Sequence, residues 1–160
     1  MRLDGKVAIV TASTRGIGLA CTQRLAREGA TVYMAARNME RAENRAKELN
    51  DEGCNVKTVY NDATEKETYT SMVEEVFKNE GRIDILVNNF GTSNPQKDLD
   101  IKNTEYDEYI RTVDINLASV FMTSQAAIPH MAANGGGSII NISSIGGLRP
   151  DISQIAYGTS

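Results

Sequence analysis

Cysteine and histidine are scarce in this 160-residue chain, which has only Cys21, Cys54 and the single His130. Two distant thiols make neither a disulfide framework nor a zinc site. They are expected to stay reduced, as in a cytoplasmic protein. His130 falls in Ile128-Pro129-His130-Met131, late in a helix, and is expected at an exposed helix end without a metal or catalytic role. No cluster of His, Cys, Asp and Glu points to a metal. Long apolar runs are also missing. The first, Val7–Val10, is too short for a signal-peptide core, and no later run approaches a membrane span. No membrane partner is expected, and the expected location is the cytoplasm. A surplus of positive charge is absent too. The net charge is −4 and the pI about 5.1, which speaks against a nucleic-acid surface but leaves local arginines free to hold a small phosphate. There is no linker, low-complexity segment or internal repeat, so residues 1–160 are expected to form one domain with a real core.

What is present is an ordinary globular balance, 41% hydrophobic and 24% charged, in which short apolar runs alternate with helical periodicity. Val7–Val10, Thr31–Ala35, Val56–Tyr60, Ile83–Val87 and Ser138–Ile142 read as strands. Between the first two, Ile17, Ala20, Cys21 and Leu25 recur at helical spacing up to Glu28, with Gly29 as the C-cap. Ala42, Ala46 and Leu49 form the stripe of a second helix, from about Met39 to Glu52, whose charges such as Glu43 and Lys47 face solvent. Thr64-x-x-Glu67 reads as a capping box opening a third helix with Tyr69, Met72, Val73, Val76 and Phe77 on its core face. A long helical region runs from about Thr104 to Met131, as one piece or two, and Gly135-Gly136-Gly137 is a turn. A further helix starts near Ser153. Strands separated by helices require right-handed crossovers. The expected fold is therefore α/β: a Rossmann-like, doubly wound parallel sheet with helices on both faces. In such sheets the ligand lies beyond the carboxyl ends of the strands, where every polar motif of this chain falls.

The first motif, Thr11-Ala12-Ser13-Thr14-Arg15-Gly16-Ile17-Gly18, follows strand one and opens helix one. Small residues let the backbone approach a pyrophosphate, and the helix N-terminus offers free N–H groups and a favourable dipole. The second is the end of strand two, Met34-Ala35-Ala36-Arg37-Asn38. An NAD site places an acidic residue here for the ribose 2′-hydroxyl. This chain has Arg37 instead, and a guanidinium binds a 2′-phosphate by paired hydrogen bonds. Arg15 can close on the same phosphate, so the expected cofactor is NADP(H).

Together with three later segments, these motifs resemble the short-chain dehydrogenase/reductase family. The turn resembles its T-G-x-x-x-G-x-G pattern with Ala12 in place of the first glycine, tolerable if the φ there is negative. Asp62-Ala63 matches the position beside the adenine edge, with capping of the next helix as the competing role of Asp62. Asn88-Asn89-Phe90-Gly91 resembles N-N-A-G; the resemblance implies that the two amides brace strand ends and the adenosine ribose. Phe90 replaces the usual alanine and either narrows the nicotinamide end or faces the substrate. Val113-Asp114-Ile115-Asn116 matches the segment with an active-site asparagine. Ile139-Ile140-Asn141-Ile142-Ser143-Ser144 matches the serine strand, and Tyr157 follows Ser144 at the family interval of 13 residues. Ser143 is the alternative serine, although alternation along a strand should aim only one of the pair at the substrate.

The resemblance implies a catalytic set of Asn116, Ser144 and Tyr157, with Ser144 and Tyr157 on the substrate and Tyr157 also beside the cofactor. Nicotinamide carries the hydride, and the protein orients a carbonyl or alcohol and manages one proton. A phenol ionises near pH ~10 and needs a nearby cation to work at neutral pH. In the family that cation is a lysine four residues after the tyrosine, here the position after Ser160. The resemblance thus implies a longer parent domain, incomplete here on its C-terminal side, and a chain nearly inactive alone. It also implies a homo-oligomer, a dimer or a tetramer. Thr11–Gly18, Glu67–Glu74, Gly81–Asn89 and Pro150–Ser153 further resemble one branch of the family, the clostridial NADP-dependent 7α-hydroxysteroid dehydrogenases. That branch implies a bile-acid 7α-hydroxyl as substrate. The residues themselves reach only a hydride transfer between NADP(H) and an alcohol/carbonyl pair. A 3-oxoacyl-thioester reductase or general carbonyl reductase, and a nucleotide-binding protein without activity, are the competing readings.

Overall fold

Successive residues of the first strand send their side chains to opposite faces of one sheet, and each face has its own core. Val7 and Ile9 pack with Tyr33, Ala35 and Val59 against Met72, Val73, Val76, Ala127 and Met131. Ala8 and Val10 pack with Val32, Met34, Val56, Ile85 and Val87 against Ala26, Ala46 and Leu49. A fully buried side chain of this size contributes about 1.5–3 kcal/mol, so burial on both faces holds the strands far more firmly than their short length would. The computed structural model describes residues 1–149 and 153–160. Its elements are β1 (Val7–Thr11), α1 (Gly16–Arg27), β2 (Thr31–Ala36), α2 (Met39–Asp51), β3 (Asn55–Tyr60), α3 (Glu67–Glu80), β4 (Ile85–Asn88), α4 (Tyr106–Ala133), β5 (Ser138–Asn141), a 3-10 turn (Ile145–Gly147) and α5 (Ile155–Thr159).

The strands pair in the order β3-β2-β1-β4-β5, all parallel. β1 faces β2 through Val10↔Met34 and β4 through Val10↔Val87. The winding direction reverses between β1 and β4, which opens a crevice at their carboxyl ends. Helices α1 and α2 cover one face and α3 and α4 the other. The amino ends of β1 and β4 are pinned by Asp84, which accepts from the Val7 amide (2.9 Å), Lys6 (3.0 Å) and Arg82 (2.5 and 2.8 Å). Burial works to raise the Asp84 carboxyl, but Arg82, the Val7 amide and Lys6 outweigh it and hold it at about 2. The free thiols of Cys21 and Cys54 are unpaired.

Several expectations need correction. The fully buried stripe of α1 is Gly18, Thr22 and Ala26; Cys21 and Leu25 pack half-buried against the core as expected, while Ala20 is exposed and Ile17 is 61% exposed. The helix packs so close to β1 that its smallest residues face inward. Gly29 does stop it, at φ +100. The capping box does not form. The Thr64 hydroxyl donates to Asp62 Oδ1, and Thr68 Oγ1 accepts from the Asp62 amide and from Asn61. The chain is held by this turn until α3 begins at Glu67. The long helix is one piece of 28 residues, with Pro129 inside it near its C-terminal end. His130 is not simply exposed. Its ring stacks on Phe77 with centroids 3.9 Å apart, and Nε2 lies 2.9 Å from Glu74. Of Pro150–Ser153, residues 150–152 lie outside the described residues.

Candidate active site

The crevice is closed at its base by hydrogen bonds between strand ends. Thr11 Oγ1 accepts from the amides of Asn89 (2.9 Å) and Phe90 (3.1 Å). Asn89 Nδ2 donates to the carbonyls of Thr11 and Ala12. Asn88 does the same on the far side, donating to Asn141 Oδ1 (2.9 Å) and Ser124 and accepting from Thr123. Both amides thus brace strand ends, as expected, and neither lines the crevice.

Above this base lies a groove of about 530 Å³. From the first motif it is lined by Ala12, Thr14 and Arg15, and from the second by Ala36, Arg37 and Asn38. Asp62 and Ala63 line it beyond β3, and Phe90, Gly91 and Thr92 close its inner end. Thr11, Ser13 and Gly18 support the turn from beneath, while Gly16 starts α1 and Ile17 points outward. Asn38 Oδ1 caps α2 by accepting from the Arg41 amide (2.8 Å), so its side-chain carbonyl is already engaged. Asp62 does not cap α3. Its Oδ1 accepts from the Thr64 amide and hydroxyl, and its Oδ2 lies 3.8 Å from Arg37 Nε.

The turn itself fits a close-lying anionic ligand. A Cβ on Gly18 would sit 2.6 Å from the Ala12 carbonyl oxygen and 2.6 Å from Asn89 Nδ2, so the backbone packs as tightly as the glycine allows. No side chain caps the start of α1, and the Ser13 hydroxyl is buried with no partner among the described residues. A buried hydroxyl without a partner costs about 1–3 kcal/mol. Ala12 departs from expectation: its φ is +49, not negative. The turn demands the left-handed conformation that glycine provides freely, and alanine holds it at a cost of about 1–2 kcal/mol.

A second cavity of about 300 Å³ adjoins the groove through Phe90 and Gly91, which line both. Asn116, Ser143, Ser144 and Tyr157 line it. Phe90 therefore stands at the junction of the two cavities. Both serines reach the cavity because β5 ends at Asn141, and alternation along the strand no longer applies. Ser144 Oγ accepts from the Gly146 amide at 3.2 Å. The Tyr157 ring lies between two glycines: a Cβ on Gly91 would be 3.8 Å from Cε2, and one on Gly146 would be 4.0 Å from Cε1 and 3.5 Å from Ser144 Oγ. Ser144 and Tyr157 thus converge on one spot. Asn116 is buried on α4 and spans to the loop after β4. Its Oδ1 accepts from the Thr92 amide (2.9 Å), and its Nδ2 donates to the Thr92 carbonyl (3.0 Å) and to Ser160 Oγ (2.8 Å).

Sequence reasoning missed several lining residues. Arg41 and Arg111 both border the groove. Arg111 is held by Glu108 at 2.5 Å. Arg41 makes no ion pair among the described residues and lies in the first turn of α2, four residues after Arg37, a nearness in sequence that could have revealed it.

A family model described as short chain dehydrogenase matches residues 6–160. The chain belongs to the short-chain dehydrogenase family. It is 54% identical to a 7α-hydroxysteroid dehydrogenase of Clostridium sardiniense, covering 99% of this chain and 61% of that protein. It is 49% identical to a 7α-hydroxysteroid dehydrogenase of Paraclostridium sordellii, covering 99% and 60%. The chain therefore spans about three-fifths of the length of these curated relatives. A gluconate 5-dehydrogenase of Burkholderia cenocepacia, solved with NADP and tartrate, superimposes with a TM-score of 0.89 at 35% identity, over 99% of this chain and 61% of the other. Among the described residues no helix is long and apolar enough to cross a membrane, and no group of three or more His, Cys, Asp and Glu is placed to hold a metal.

Proposed function

We propose that this chain supplies the cofactor groove and most of the catalytic residues of an NADP(H)-dependent oxidoreductase acting on a secondary alcohol/ketone pair, with the 7α-hydroxyl of a bile acid as substrate. Residues 1–160 act as one cofactor-binding domain in this reading. The observation that carries it is the continuity of the two cavities: a groove rimmed by Arg15, Arg37 and Arg41 leads past Phe90 into the space shared by Ser144, Tyr157 and Asn116. The residues that would hold NADP are the turn Thr11–Gly18, the arginines at its rim, and Asp62 and Ala63. The bound nicotinamide supplies or accepts the hydride. Ser144 holds the substrate oxygen, and the Tyr157 phenol gives a proton to that oxygen in reduction while its phenolate takes the proton in oxidation. Asn116 anchors the Gly91–Thr92 loop beside Tyr157 and supports the proton path. The steroid assignment rests on the two hydroxysteroid dehydrogenases to which the chain is similar.

An apolar stripe on α4, formed by Tyr106, Ile110, Leu117, Phe121 and Ile128, supports a homo-oligomer, a dimer or a tetramer, and the protein is read as cytoplasmic. The test is turnover by the full-length protein. NADP-linked oxidation of a 7α-hydroxy bile acid is expected. Preference for a 3-oxoacyl thioester transfers the assignment to a reductase of that class, and absence of turnover with tight NADP binding makes the protein a binding module.

A further inference from the structure

The catalytic helix begins without a cap of its own. Gln154, the residue before α5, has φ +57, a left-handed conformation rarely held by a side-chain-bearing residue, and it makes no capping bond. The three N–H groups that open the helix are taken instead by a loop far away in sequence. The Ile155 amide donates to the Leu99 carbonyl (3.0 Å), the Ala156 amide to Asp98 Oδ1 (2.9 Å) and the Tyr157 amide to Asp98 Oδ2 (3.0 Å). Asp98 is fully buried, and its third donor is the Ser93 hydroxyl at 3.0 Å. Among the described residues no cation pairs with it, so this carboxylate is held by N–H and O–H donors alone. Burying a charge in this way costs free energy unless each donor stays in place. The carboxylate therefore has one low-energy position, and α5 is fixed in rotation and along its axis by it.

The loop that carries Asp98 also begins at Gly91, where an added Cβ would lie 3.8 Å from the Tyr157 ring, and runs through Thr92, which Asn116 grips from both sides. One loop thus ties the backbone of Tyr157 to the anchor of Asn116. We propose that Asp98 is a positioning residue for the reaction, fixing the main chain of Tyr157 and with it the place of the phenol in the cavity. This rests on Tyr157 being the proton donor, as argued above.

The test compares Asp98→Asn, Asp98→Ala and Tyr157→Phe in the full-length protein by kcat, KM for the alcohol and Kd for NADP. Asn keeps the shape of Asp but sets an NH2 against a backbone N–H. A displacement of the phenol by a fraction of an ångström lowers kcat by roughly tenfold or more. Asp98 does not itself line the groove, so NADP Kd should stay within about twofold of the parent. A folded Asp98→Asn enzyme with parental kcat, beside an inactive Tyr157→Phe, overturns the inference alone. So does a fall in kcat matched by an equal weakening of NADP binding, which is general loosening. Parental kcat in Tyr157→Phe removes the reading of Tyr157 and the inference with it. Where the Asp98 variants fail to fold, Ser93→Ala takes one donor off the carboxylate. It should lower kcat by about two- to fivefold at constant NADP Kd, and an unchanged kcat overturns the inference.

Discussion

Replacing Arg37 by alanine tests the cofactor assignment at the point where its physics is simplest. The side chain is 74% exposed and lies 3.8 Å from Asp62 at the rim of the groove. A hydrogen bond to a charged group contributes about 1.5–3 kcal/mol, and solvent around so exposed a guanidinium reduces that to about 1–2 kcal/mol. With about 1.4 kcal/mol per factor of ten, NADP Kd should rise by roughly 5- to 30-fold. Arg15 and Arg41 line the same groove and carry the rest of the attraction, so binding weakens without vanishing. NAD lacks the 2′-phosphate, and its Kd should stay within about twofold. Titrating both cofactors by fluorescence reads the two values independently of turnover. An NADP:NAD ratio that is the same in Arg37→Ala and the parent would refute the reasoning. Adding Arg41→Ala should raise the NADP:NAD Kd ratio further, with the same assay as the check.

The remaining predictions concern the turn and the sheet. Ala12→Gly should stabilise the fold by about 0.5–1 kcal/mol, because glycine adopts φ +49 freely and loses only part of that gain as chain entropy. A melting temperature about 2–3 °C higher is the expected result. Gly18→Ala should destabilise by about 1–3 kcal/mol and weaken NADP binding with it, since the added carbon would meet a backbone oxygen at 2.6 Å; denaturant midpoints and a cofactor titration measure the two effects. The Asp84 carboxyl titrates at about 2, below the ordinary value of 3.8, so its contribution is present above pH ~4 and is lost as the pH falls toward ~2. Asp84→Asn should cost on the order of 1–2 kcal/mol at neutral pH, allowing for solvent around Lys6 and Arg82, and should flatten the acid limb of urea midpoint against pH.

Much of the fold was legible because the signals were local. The stripe Ala42, Ala46 and Leu49 is buried on α2 as its spacing implied, and Tyr69, Met72, Val73 and Val76 are buried on α3. The strands lie where the apolar runs placed them, within a residue or two, and the sheet is parallel. What misled was the assumption that the largest apolar residues face inward. On α1 the fully buried positions are Gly18, Thr22 and Ala26, with Cys21 and Leu25 half-buried beside them, and Ile17 is turned out. The capping box failed because the side chains of Asp62 and Thr68 hold residues 62–68 in a turn and α3 begins only at Glu67, so Thr64 does not stand at the helix start.

The site divides along the same line. Its cofactor end is built from residues contiguous in sequence at the ends of β1 and β2, so a motif can disclose it. Its catalytic end is held by bonds between distant residues: Asn116 to Thr92, Tyr157 to Asp98, Asn89 to Thr11. No spacing rule reaches Asp98, which sits in an irregular stretch with no periodicity around it. Its carboxylate has meaning only once α5 has folded back across the loop and presents two unpaired amides to it. A residue of this kind is found by asking where each buried polar group finds its partner. That accounting leads from the Tyr157 amide straight to a buried carboxylate in the loop after β4, and it identifies the loop, rather than the helix that bears the tyrosine, as the element that sets where the phenol stands.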